Sequence, residues 1–143
     1  MKALKRGGWL AGIIAALVFL SGCSGTASVA ERVERGLPAS LTEAQRLEIP
    51  PERPSAIRLG DGSRFALITW GSSSCPAVVT AMEALGTAAI ELRLESSGGS
   101  GPCSADMAAT THVLAMPGTV TGSPISLTLT YPHQGEPITL SIH

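Results

Sequence analysis

Alternation with a period of two limits this chain more than any other feature. In the stretch 88–95, Ile90, Leu92 and Leu94 fall on one side of an extended backbone, and Glu91, Arg93 and Glu95 fall on the other. Ile125, Leu127 and Leu129 alternate with Ser126, Thr128 and Thr130, and Ile138, Leu140 and Ile142 close the chain the same way. A helix would scatter these side chains around its axis, whereas a strand gathers them on one face that must be covered. Earlier segments repeat the pattern: Ile57 and Leu59 flank Arg58, Asp61-Gly62 is a hairpin turn signal, and 64–70 and 110–116 are β-rich. The run 78–89 is ambiguous. Its Ala, Met, Glu and Leu suit a helix, while Thr80, Thr87 and the hairpin spacing suit a strand. The expected fold is all-β, a small antiparallel β-sandwich or sandwich-like barrel of six or seven strands over residues 55–143.

The N-terminus obeys different rules. Met1 to Arg6 carries three positive charges and no acid, Trp9 to Leu20 is continuously apolar, and Leu20-Ser21-Gly22-Cys23 follows. Twelve apolar residues are too few to span a bilayer and suit a signal-peptide core. The quartet resembles the processing site of bacterial lipoproteins: Leu, a small residue, Gly or Ala, then Cys. The alternative is an ordinary secretory signal that happens to hold a cysteine. The resemblance implies that residues 1–22 are removed and that Cys23 becomes the N-terminus with a diacylglycerol on its sulfur. Two acyl chains give stable anchoring where one gives marginal binding. It also implies residence at the extracytoplasmic face of the cell membrane, with the membrane itself as one partner.

Loss of residues 1–22 takes Lys2, Lys5 and Arg6, leaving seven arginines against eleven acids, a net charge of −4. Such a surface does not suit nucleic acid and gives no electrostatic help toward anionic lipid. Beyond the signal only Phe65, Trp70 and Tyr131 are aromatic, so the core must come from smaller side chains. With Cys23 lipidated, Cys75 and Cys103 remain, and an oxidising compartment favours a disulfide between them. It would close a loop of about 29 residues, worth about 3 to 4 kcal/mol in a chain-entropy model. The alternative is a pair of metal-binding or redox thiols, although no Cys-x-x-Cys is present.

Residues 23–54 suggest a lipidated cysteine and tether. Gly36, Pro38, Pro50, Pro51 and Pro54 interrupt any long element, leaving short helical turns at 31–35 and 41–47, the second capped by Ser40 or Thr42. Such a segment would lift the domain off the bilayer. Alternatively, Leu37, Leu41, Leu47 and Ile49 dock on the domain as a cap.

The segment Trp70-Gly71-Ser72-Ser73-Ser74-Cys75-Pro76, followed by Cys103-Ser104-Ala105-Asp106-Met107 and the Thr110-Thr111 pair, resembles a group of small, uncharacterised actinobacterial lipoproteins. That group shares Trp-Gly-Ser-Ser-Ser-Cys-Pro after a strand, then Cys-Thr-Ala-Asp-Leu and a Thr pair before another strand. This chain departs conservatively at Ser104 and Met107. The likeness covers residues 64–116 and implies export, the Cys75–Cys103 bridge and β architecture. It implies no activity.

Three readings of function compete. A binding or accessory module for an envelope protein or cell-wall component would use the loops beside the bridge, with Ser72, Ser73 and Asp106 as recognition residues. A small-ligand or copper site would draw on Met107, His112 and Met116. A hydrolase would need Ser73, His112 and Asp106 together, but Gly71-Ser72-Ser73-Ser74-Cys75 is not a Gly-x-Ser-x-Gly elbow. The first, non-enzymatic reading is favoured, and no cofactor is implied.

Overall fold

The computed structural model describes residues 26–143. The expected signal peptide 1–22 and the expected lipidation site Cys23 lie outside them. Eight strands form: β1 (Arg32–Arg35), β2 (Ser55–Leu59), β3 (Arg64–Gly71), β4 (Ala77–Gly86), β5 (Ala89–Ser96), β6 (Ala108–Ala115), β7 (Ile125–Thr130) and β8 (Ile138–Ile142). One helix, α1 (Glu43–Glu48), interrupts them. The first sheet has the order β1-β6-β3-β2 and the second β4-β5-β7-β8. All neighbours are antiparallel except β5 and β7, which run parallel.

The sheets stack face to face, and the alternation decides which side chains meet. Ile90, Leu92 and Leu94 of β5, with Ile125, Leu127 and Leu129 of β7, are fully buried against Phe65, Leu67 and Leu114 of the first sheet. Their polar neighbours form the solvated outer face of the second sheet, the usual division in an antiparallel sandwich. The ambiguous run 78–89 is strand, with a two-residue turn at Thr87 and Ala88 leading into β5. Val79, Met82 and Ala84 pack toward the core, and a bulge between Val79 and Ala81 keeps them on that side. The Asp61-Gly62 signal is met. Gly62 has φ +86°, its N–H donates to the Leu59 carbonyl at 2.9 Å, and the Asp61 carboxylate accepts from Ser63 N–H at 2.9 Å.

The expected tether does not reach residue 54. Residues 32–35 are a strand, not a helical turn, and pair with β6 from Arg32 opposite Val113 to Arg35 opposite Thr110. An open edge of β6 offered unpaired N–H and C=O groups, and a local helix could not satisfy them. The second turn is helical. Thr42 caps α1 in a capping box, accepting from Gln45 N–H at 3.2 Å while Gln45 Oε1 accepts from Thr42 N–H at 2.9 Å. Leu41 and Ile49 bracket the helix and bury themselves against Ile68, beside Leu37, Ile57 and Trp70. Leu47 stays exposed. The segment is therefore a third layer over the outer face of the first sheet. Leu41→Ala or Ile49→Ala is expected to cost about 2 kcal/mol in urea unfolding. Unchanged stability would return the segment to a tether.

Among the described residues, no helix is long and apolar enough to cross a membrane.

Candidate functional site

One end of the sandwich gathers three connections. Residues 72–76 join β3 to β4, 97–107 join β5 to β6, and 131–137 join β7 to β8. The first two are tied by a Cys75–Cys103 disulfide with Cα atoms 5.5 Å apart. Gly98 lies directly on this bridge: a Cβ there would sit 2.3 Å from Cys75 Sγ and 3.0 Å from Cys103 Sγ. Glycine at 98 thus has a steric cause, since any larger residue there would displace the sulfurs.

A knot of hydrogen bonds joins the same two loops. Asp106 Oδ1 accepts from Ser73 N–H at 3.0 Å and from the Ser104 hydroxyl. Ser104 N–H donates to Ser74 Oγ at 2.8 Å, Ser104 Oγ lies 2.8 Å from Ser72 Oγ, and Cys75 N–H donates to Ser72 Oγ at 3.3 Å. The Ser104 hydroxyl first, and Ser73 next, hold the Asp106 carboxyl well below the usual carboxylate range. The structure therefore brings Ser72, Ser73 and Asp106 together, but their polar groups satisfy one another. Their evident task is to fix loop geometry.

The free groups lie beside this knot. Two clefts, of about 430 and about 380 Å³, adjoin one another and share Glu95, Ser96, Tyr131 and Gln134 in their walls. Trp70, Ser72, the two half-cystines, Pro54 and Ile138 also line the smaller cleft, and Thr26, Gly99 and His133 line the larger. Trp70 Nε1 is buried and has no hydrogen-bond partner. Burial raises the Tyr131 phenol above its ordinary range. Of the three aromatic side chains beyond Cys23, Phe65 is buried in the core, while the other two line one cleft. Neither cleft is lined by lysine or arginine.

Sequence reasoning missed Tyr131, Gln134 and Glu95. The scarcity of aromatics was a usable signal for Tyr131, which stands beside a Pro-His-Gln-Gly-Glu-Pro loop. Nothing along the chain announced that this loop meets Trp70.

The suggested copper ligands are not assembled. His112 is fully buried on the inner face of β6, in register with Leu67, and its Nε2 lies 3.1 Å from Thr69 Oγ1. Met107 is 55% exposed before β6 begins, and Met116 packs against the core after it ends. At about 3.3 Å per residue, Met116 sits about 13 Å along the strand from His112, and Met107 about 16 Å. Neither distance allows a shared ion. The hydrolase grouping fails for a related reason: His112 is enclosed between the sheets, whereas Ser73 and Asp106 belong to exposed loops. Among the described residues, no three His, Cys, Asp or Glu side chains converge as a metal site.

No protein-family model, curated protein or solved structure matches this chain.

Proposed function

We propose that this chain is a lipid-anchored binding module on the extracytoplasmic face of the cell membrane, and that its aromatic cleft takes an envelope or cell-wall component. The observation that carries this reading is the convergence of Trp70 and Tyr131 on one cleft. The disulfide and the Ser72–Asp106 knot hold the walls before binding, so little ordering entropy is lost on association. The resemblance of Leu20–Cys23 to a lipoprotein processing site supports the anchor.

The test is in-cell photo-crosslinking of the full lipidated protein from position 134, with position 47 on the exposed face of α1 as the control. A reproducible adduct from 134 and none from 47 is expected. Identical adducts from both, or none from 134, would overturn the cleft as the binding surface.

A further inference from the structure

The chain enters the folded domain at the cleft. Thr26, the first described residue, lines the larger cleft together with Tyr131 and Gln134. From there it follows β4, with Val29 N–H donating to the Val79 carbonyl at 2.9 Å. Three peptide units separate Thr26 from Cys23, at most about 11 Å of extended chain. A lipid on Cys23 therefore holds the cleft end against the bilayer. The opposite end, with the β2–β3 and β4–β5 turns, points away. No long spacer intervenes, because the segment expected to supply one is folded onto the first sheet.

The lining decides what such a cleft can hold. A phosphate or carboxylate would meet Glu95 with no lysine or arginine to offset it. An acyl chain would leave the Glu95 carboxylate and the Gln134 amide unpaired in an apolar contact. A sugar fits both demands. Its C–H faces pack on the rings of Trp70 and Tyr131, and its hydroxyls both donate to Glu95 and accept from the Gln134 amide. We propose that the cleft binds the uncharged sugar headgroup of a glycolipid in the leaflet that anchors the protein. This rests on the lipid-anchored reading of Cys23 and on the cleft as the binding surface.

The experiment uses the mature, lipidated protein in phosphatidylcholine vesicles carrying increasing fractions of glucosyl-diacylglycerol. Trp70 is the sole tryptophan once residues 1–22 are removed, so its emission reports the cleft directly. A saturable shift with the glycolipid, and none with phosphatidylglycerol, is expected. Gln134→Ala, a change at an exposed residue, should raise the half-saturating fraction about tenfold without altering Tm. Tyr131→Ala should do the same, and Gln134→Ala carries the test if Tyr131→Ala also lowers Tm. No shift with glycolipid, or an equal shift with every lipid, overturns the proposal. A shift with free maltose but none with the glycolipid overturns the membrane source and leaves a sugar-binding module. Mass spectrometry showing no diacylglycerol on Cys23 removes the anchored reading itself.

Discussion

Replacing Cys75 and Cys103 together by alanine is expected to lower stability by about 3 to 4 kcal/mol in denaturant unfolding. The bridge spans 28 residues of sequence and includes the whole β4–β5 hairpin, so its loss returns a large loop to the unfolded ensemble. The native end also loses packing, because Gly98 is closed over the two sulfurs. Dithiothreitol on the wild-type protein should reproduce most of the effect. A loss below about 1 kcal/mol would mean that the Ser73–Asp106–Ser104 knot holds the two loops unaided. Binding should suffer more than stability alone predicts, since both half-cystines line the smaller cleft.

Acid should weaken the fold through His112. Its imidazole is enclosed between the sheets, and burial depresses its pKa from an ordinary 6.5 to about 4. Nδ1 has no partner, while Nε2 faces Thr69 Oγ1, which also lies 3.4 Å from the Thr110 carbonyl. The arrangement suits a neutral ring with its proton on Nε2. That proton goes to Thr69 Oγ1, and the threonine hydroxyl donates onward to Thr110. A bare Nδ1 lone pair is cheaper to bury than an N–H without an acceptor. The sign follows from linkage. Above about pH 6.5 both folded and unfolded chains hold a neutral His112, and the group costs nothing. Between 6.5 and 4 the unfolded chain takes a proton that the folded chain refuses, so stability falls with pH. Urea unfolding should show a loss of about 2 to 3 kcal/mol between pH 7 and 4.5. His112→Gln should flatten the profile in that window. Parallel losses in both proteins would assign the acid sensitivity elsewhere.

The same burial explains why His112 deceived sequence reasoning. A lone histidine after two threonines on a β-rich segment resembles a surface ligand, yet Leu67 across the ladder places it on the core face. Cross-strand register, which joins residues 45 positions apart here, is not written in local sequence. Asp106 is a milder case. Its place beside a half-cystine suggested recognition, and only the approach of Ser73 and Ser104 shows that its hydrogen bonds are already used.

Local chemistry was enough for much of the rest. Strict alternation in β5 and β7 identified strands with one buried face, because a period of two leaves no other way to collect those side chains. The turn at Asp61-Gly62 and the cap at Thr42 were legible because each depends on a few adjacent residues. β3 carries a further signal. Phe65-Ala66-Leu67-Ile68 is apolar without alternation, the mark of a strand covered on both faces. It already implied a third layer, which Leu41 and Ile49 supply. Strand content, the turns and the helix cap are therefore readable along the chain, all set by neighbours within a few residues. The tertiary fold settled instead that β1 joins the first sheet, that Leu41 and Ile49 pack on that sheet, that β5 and β7 run parallel, and that Trp70 meets Tyr131 in a cleft. These depend on contacts between segments far apart along the chain, where the free energy of covering an exposed face overrides what any short stretch prefers.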